Sequence, residues 1–322
     1  MQTKIPFISD QQVKTLLPMS EAISLMKKAF TQITNKSAKI PQRINLDMPE
    51  VNADSLIMPV YSSYEKKYGV KIVSLNRDNP ANNLPFIHAL MILFDAEIGK
   101  PIAILDAENL TAIRTGAASG LATQLLSVSD AAVVAIFGAG IQAKYQLRAI
   151  CEVREIKKVF IFEKNQEKAE DFKNEMVNEL NVKIEVNSDQ KNLSDSYVIC
   201  TATTSPIPVF NNEFISFGTH INAIGSYQNN KREIPSSTVK SAKLFVDSKD
   251  ACLTEAGDLI IPMNEGIITK EKEITEIGEL LLGVKEGRKS REDITLFKSV
   301  GNAAQDLICA IHIFEKFKNE DH

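Results

Sequence analysis

The sequence predicts an α/β chain in two parts: an α+β unit over residues 1–125, then a doubly wound parallel sheet, with a C-terminal segment returning to the first part. Three observations lead there. A chain of 322 residues exceeds one compact core, so two domains are expected. Strand-like runs follow one another with short turns in the first third. From Ala131 onward, apolar strand, glycine turn and helix alternate instead.

In the first part, residues 19–34 place Ile23, Met26, Ala29 and Phe30 at helical spacing, which predicts a helix with one inward face. The runs RINLDM, SLIMPVY, GVKIVSL, PFIHALMILFD and KPIAILD are separated by turn residues such as Asp78-Asn79-Pro80 and Ile98-Gly99-Lys100. Consecutive strands with short connections predict a largely antiparallel sheet, closed by a helix from Glu108 to Leu126. In the second part, AAVVAIF, a helix near 141–152, KVFIFE and a helix near 166–180 form a βαβ pattern. SYVICTAT, THINAIG and KLFVDS supply further buried strands of a doubly wound parallel sheet. The last segment, ITLFKSVGNAAQDLICAIHIFEKF, reads as a strand and a long amphipathic helix that packs back on the first domain. The predicted domains are therefore 1–125 with 301–322, and 126–300.

Composition narrows the partners. Hydrophobic residues at 44% and charged residues at 24% describe an ordinary globular chain. A net charge of -4 with interspersed signs provides no basic stripe for nucleic acid, so a small-molecule partner is expected. Cys151, Cys200, Cys252 and Cys309 lie too far apart for a zinc motif or a disulfide framework, and are read as reduced thiols. The opening MQTKIPFISDQQ lacks the apolar core of a signal peptide, and no run approaches the ~20 apolar residues that span a bilayer, so the expected location is cytoplasmic.

The strongest local signal is Gly138-Ala139-Gly140-Ile141-Gln142-Ala143, a G-x-G-x-x-A loop between a buried strand and a helix. Gly138 permits the turn, Gly140 lets backbone approach a pyrophosphate, Ala143 keeps helix and strand close, and the opening N–H groups bind the anion. Glu163, 23 positions beyond Gly140 at the end of the second strand, is placed to accept the hydroxyls of an adenosine ribose. Together these predict a Rossmann domain binding NAD. Lys164 could meet a 2′-phosphate, which keeps NADP as the alternative. The bland reading is a glycine turn without a nucleotide. In the doubly wound scheme, the loops Thr201-Ala202-Thr203 and Ile224-Gly225-Ser226 line the dinucleotide crevice.

A second constellation is Arg43, Lys71 and Arg114, three cations in or beside apolar segments of the first domain. Arg114 lies in the charge-poor NLTAIRTGAASGLAT, where a buried guanidinium needs an anion such as a substrate carboxylate. Lys71 lies between apolar neighbours, an environment that lowers its pKa and suits proton exchange with an imine or amine. Structural salt bridges or snorkelling side chains are the alternative. His88 and His220, each alone in a strand-like run, read as core histidines. GDLIIP and the acid-rich 271–279 lack metal-ligand spacing and read as a solvated face, so no metal site is expected.

Several segments resemble the ornithine cyclodeaminase/μ-crystallin family, in the family's order and across nearly the whole chain: Arg43 before Met58-Pro59, GVKIVSLNRDNP, LTAIRTGAASGLAT, FGAGIQA, NAIGSY followed by REIP, and ITLFKSVGNAAQDL. The resemblance implies a homodimer whose first domain, with the C-terminal helix, binds substrate and makes the subunit contact, while the second domain holds NAD(P). It implies substrate contacts from Arg43, Met58, Lys71 and Arg114, with Lys71 catalytic and Thr115 beside the cofactor phosphates. Cyclodeaminases of the family carry a Glu two residues before Met-Pro and an Asp two residues after the Gly matching Gly225; here Leu56 and Tyr227 stand there, and neither can act as a carboxylate. The resemblance thus favours reduction of a small 2-imino acid, of the Δ1-pyrroline-2-carboxylate or Δ1-piperideine-2-carboxylate type, to the L-amino acid. Ornithine cyclodeamination and alanine dehydrogenase-like deamination are the alternatives on the same scaffold. A non-catalytic, μ-crystallin-like nucleotide-binding protein is the alternative of another class.

Overall fold

The computed structural model of the chain describes residues 4–187, 189–269 and 271–320. Two compact units emerge: Met1–Arg114 with Asn302–His322, and Thr115–Gly301. The division falls inside the helix Glu108–Leu126 rather than after it as the sequence predicts. From Gly116 on, that helix packs on the second unit: a Cβ at Gly116 would meet the Tyr145 carbonyl oxygen at 2.5 Å.

In the first unit, β1 (Phe7–Ile8), α1 (Asp10–Leu16) and α2 (Met19–Thr34) precede β2 (Ala38–Lys39), β3 (Ile44–Met48), β4 (Ala53–Ser62), β5 (Lys67–Asn76), β6 (Ile87–Asp95) and β7 (Pro101–Asp106). Helix α3 (Glu108–Leu126) leads into the second unit. The strand order is β1-β7-β6-β5-β4-β2, with β3 also on β4. Every pairing is antiparallel except β1 with β7, as the short connections predict. Strand alternation buries Gly69, Lys71, Val73 and Leu75 of β5 on one face. Register sets Met58 opposite Lys71 and Lys71 opposite Met91, so these three share that inner face. The C-terminal helix, Ala303–Glu320, packs against α2 and against β4, β5 and β6, the return to the first domain that the sequence predicts.

The second unit contains β8 (Val133–Phe137), α4 (Ile141–Val153), β9 (Lys158–Phe162), α5 (Gln166–Leu180), β10 (Lys183–Val186), β11 (Val198–Thr201), β12 (His220–Ala223), α6 (Ser236–Ser241), β13 (Lys243–Val246), α7 (Lys249–Glu255), α8 (Gly257–Asn264), β14 (Ile274–Glu276), α9 (Ile277–Leu281) and β15 (Thr295–Lys298). Ala303–Glu320 is then α10. The strands form one parallel sheet, order β10-β9-β8-β11-β12-β15-β13-β14, with an apolar core on each face. Chain order reverses between β8 and β11, the switch point at whose carboxyl ends such sheets bind ligands. No described helix is long and apolar enough to cross a membrane.

Two expectations are corrected here. Segment 271–279 is not a solvated face: Ile274–Glu276 is the edge strand β14, and the 6% exposed Glu276 accepts Lys249 N–H at 2.9 Å and caps α9. Asp258 of the GDLIIP run is likewise fully buried. Only His220 of the two histidines is core. His88 is exposed, its Nδ1 2.6 Å from Glu108 Oε1, because it projects from the other face of β6.

The C-terminus of α3 is held by two arginines. Arg154 donates to the carbonyls of Thr123, Gln124, Ser127 and Val128, and Arg288 Nε to that of Leu126. Carbonyls of a last helical turn otherwise lack partners. Arg154→Leu should therefore lower unfolding free energy by about 2 kcal/mol, measured by urea denaturation, against less than about 1 kcal/mol for an exposed surface arginine.

Candidate functional site

The first unit's inner face carries a buried charged cluster. Lys71 Nζ lies 2.8 Å from Asp306 Oδ1 of α10 and 3.3 Å from Thr111 Oγ1. Arg114 Nε donates to the same Asp306 oxygen at 2.9 Å, and its Nη1 to Gln305 Oε1 at 2.8 Å. Lys71 is 1% exposed, Arg114 6% and Asp306 fully buried. Burial, then the Arg114 charge, pushes the Lys71 pKa down to about 7, with Asp306 opposing and Arg43 adding to the fall. Burial raises the Asp306 carboxyl, but Arg114 and Lys71 outweigh it and hold it below the ordinary carboxylate range.

Lys71 thus sits near neutrality beside a fixed anion, as a proton-exchanging group requires. Met58 and Met91 flank it in register, giving it apolar walls. Asp306 Oδ2, Gln305 Nε2 and Asn302 Nδ2 are buried without hydrogen-bond partners, so the 302–306 turn keeps one acceptor and two amide donors uncommitted. Half-buried Arg43, just before β3, joins through its field on Lys71. Leu56 is on the Met58 side of β4, two residues away, and offers no carboxylate.

The second unit assembles the other predicted group at its switch point. Gly138 adopts φ +96°, and a Cβ there would meet the Ala202 carbonyl oxygen at 2.7 Å, so the glycine loop and the Thr201–Thr203 loop touch. Gly140 caps α4 without a side-chain bond and has open space where a Cβ would stand, while Ile141 is 65% exposed. Helix N–H groups and unobstructed backbone are what a pyrophosphate needs, so these residues fit a dinucleotide. Glu163 directly follows β9; its Oε2 accepts Ala139 N–H at 3.1 Å and its Oε1 accepts Asn165 N–H at 3.0 Å, and each oxygen retains acceptor capacity for a ribose hydroxyl. Lys164 beside it is exposed, and half-buried Gln142 leaves a buried Oε1 without a partner. The Thr115 carbonyl accepts Gln146 Nε2 of α4 at 3.2 Å, tying this residue to the helix that follows the glycine loop. Ile224, Gly225 and Ser226 follow β12 beside Thr201–Thr203. Tyr227 packs against the apolar core.

Sequence reasoning missed Asp306 and Gln305, although both lie in the ITLFKSVGNAAQDL segment. The available signal was a lone acid in the apolar start of a helix, at a chain distance from Lys71 that periodicity does not bridge. It also missed Glu233, Asp258 and Lys298, a buried cluster of the second unit.

A glycine loop at the switch point of a parallel sheet defines a dinucleotide-binding fold, here joined in one chain to a buried lysine-carboxylate-arginine cluster. The chain belongs to the ornithine cyclodeaminase/mu-crystallin family, which it matches over residues 4–321. It is 35% identical to a Delta(1)-pyrroline-2-carboxylate reductase of Bacillus cereus over 96% of this chain and 95% of the relative. Among solved structures it is similar to the Thermococcus litoralis Delta(1)-pyrroline-2-carboxylate reductase in complex with NADH and L-proline, with TM-score 0.95, 39% identity and 98% coverage of both chains. It is also similar to an archaeal alanine dehydrogenase dimer with bound NAD, with TM-score 0.92, 31% identity and coverage of 99% of this chain and 97% of that one.

The charge of Asp306 supports the protonated form of Lys71, so Asp306→Asn should move the Lys71 titration further below about 7. Heteronuclear NMR of isotope-labelled lysine reads this directly. A Lys71 that titrates in the ordinary lysine range in the wild type would contradict the assignment.

Proposed function

We propose that the chain reduces a cyclic 2-imino acid of the Δ1-pyrroline-2-carboxylate type to the L-amino acid with NADH. The observation that carries this reading is Lys71: buried, near neutrality, and paired with Asp306 beside Arg114. A bound nicotinamide supplies the hydride. Arg114, with Nη2 uncommitted to any described residue, and Arg43 hold the substrate carboxylate. Protonated Lys71 donates to the imine nitrogen as the C=N bond becomes CH–NH, and neutral Lys71 is left stabilised by burial. The apolar walls from Met58 and Met91 suit a small ring. The acceptor capacity of Glu163 favours NADH over NADPH. Likeness to reductases named for this imine supports the substrate class. Leu56 and Tyr227 supply no carboxylate to release ammonia from ornithine, which weighs against cyclodeamination.

We also infer a homodimer formed through the outer face of the first unit's sheet. An antiparallel sheet with a solvated face alternates polar residues outward. Here Ile44, Ile57, Ile72 and Leu90 stand in one cross-strand row, and Ile44, Leu46, Ile72 and Leu90 are 59%, 52%, 38% and 43% exposed. An apolar face of that kind needs a cover, and the similar alanine dehydrogenase is a dimer.

Two outcomes are expected. Steady-state assays should show NADH oxidation with Δ1-pyrroline-2-carboxylate, with kcat/KM highest below pH about 7 and falling above it as Lys71 loses its proton, whereas oxidation of L-proline should rise through the same range. Lys71→Met should lower kcat by about 10²-fold or more while NADH affinity is kept, and no turnover of any cyclic 2-imino acid by the wild type would end the proposal. On the second point, a chain carrying both Ile72→Asp and Leu90→Asp should elute in light-scattering chromatography with the mass of one chain where the wild type has that of two. A wild-type monomer would refute the dimer.

A further inference from the structure

The REIP segment contains a carboxylate that the proposed reaction does not use. Glu233 is fully buried in the second unit, beyond the carboxyl ends of β11 and β12. Its Oε1 accepts from Thr203 N–H and Thr203 Oγ1, both at 2.7 Å. Its Oε2 accepts from Thr201 Oγ1 at 2.9 Å, Gly225 N–H at 2.7 Å and Ser226 N–H at 3.2 Å. Five donors from two loops therefore converge on one side chain. Both loops are those assigned to the dinucleotide crevice.

The five donors suit a carboxyl side chain, whose pKa is raised by burial and then by the Asp258 charge. An amide would turn an NH₂ group toward N–H and O–H donors, and one loop would have to move away. Nor does Gly225 leave slack: a Cβ there would lie 2.3 Å from the Thr203 carbonyl oxygen and 2.6 Å from Glu233 Oε1. Glu233 is fixed from behind as well. Asp258 Oδ1 accepts the backbone N–H groups of Glu233 at 2.7 Å and Ile234 at 3.0 Å. Lys298 Nζ pairs with Asp258 Oδ2 at 2.8 Å and donates to the Ser226 carbonyl.

Two carboxylates and one ammonium in a dry core are costly, and apolar residues of similar volume would hold a core at least as well. What they could not do is bind backbone N–H groups of two separate loops at fixed spacing. The Thr201–Thr203 loop in turn abuts Gly138 of the glycine loop, so a displacement of one presses on the other. We infer that Glu233 is a positioning residue that locks the Thr201–Thr203 and Gly225–Ser226 loops together and thereby sets dinucleotide affinity, not the chemistry at Lys71. This rests on the proposed dinucleotide reading of the crevice.

Glu233→Gln is the direct test, with NADH binding followed by fluorescence titration and steady-state kinetics run in parallel. The expected result is a rise of about tenfold or more in the NADH dissociation constant and in KM for NADH. At saturating NADH, kcat and its pH profile should stay within about threefold of the wild type, because Lys71 is untouched. Gly225→Ala, which forces the same two loops apart, should likewise weaken NADH binding. An NADH affinity within twofold of wild type in a folded Glu233→Gln chain overturns the inference. So does a chain that loses its fold by circular dichroism, or one that loses kcat and affinity in equal measure, since either makes the residue a structural one. A wild type that binds no NADH would sink the dinucleotide reading itself, an outcome separable from a wild type that binds tightly and a variant that binds equally well.

Discussion

The first unit depends on one buried anion meeting two buried cations. Asp306 takes Lys71 from 235 residues away in sequence and Arg114 from 192 away, through the same oxygen. None of the three could be buried alone, since an unpaired charge in a dry interior is costly to the point of neutralisation or unfolding. The C-terminal helix must therefore close over the inner face of the sheet for Lys71 to occupy it, and stability and site formation become one event. The pairing is also unbalanced. Two cations share one carboxylate, and Arg43 adds a third positive charge to the field, so the cluster favours the arrival of an anion. A carboxylate-bearing substrate would restore the balance, and this is the physical content behind reading the cluster as a substrate site.

Burial first, and this imbalance second, set the protonation of Lys71. A symmetrical ion pair would hold the lysine fully charged. Here burial strips the hydration of the ammonium, Asp306 is shared with Arg114 whose permanent charge adds repulsion, and the lysine titrates at about 7. The position is therefore poised to give up a proton and to regain it. That property belongs to the triad and not to Lys71 taken alone.

Elements whose cause is local were legible in the sequence. The helix over 19–34 was legible from apolar spacing that repeats every turn, whereas α3, Glu108 to Leu126, is buried nearly all round and was legible only as a helix-compatible run poor in charge. The glycine loop was readable because strand, turn and helix must be adjacent in the chain for it to work. What escaped was long-range. Asp306 is an ordinary acid until Lys71 and Arg114 are placed beside it, and Asp258 reads as surface until Lys298 reaches it. His88 failed for the opposite reason: an apolar strand suggested burial, but alternation sends this residue to the outer face. Segment 271–279 misled because its charges outnumber its core contacts, although Ile274 to Ile277 alone complete the sheet edge and start α9. The two units therefore differ in how much a sequence can say of them: a phosphate-binding loop is a contiguous device, whereas a buried charge cluster is assembled from distant pieces.

That difference extends to how the two buried clusters spend their polar atoms. In the second unit the oxygens of Glu233 are filled by donors of its own chain, so that side chain organises backbone. In the first, Asp306 Oδ2, Gln305 Nε2 and Asn302 Nδ2 remain without partners. Buried groups left in that state cost free energy, and a fold keeps them only where something else will satisfy them. These groups lie on the same helical turn that partners Lys71 and Arg114, which supports the proposal that a small polar molecule binds there. The contrast supports the proposed division between a cluster that holds backbone in place and one that meets a substrate.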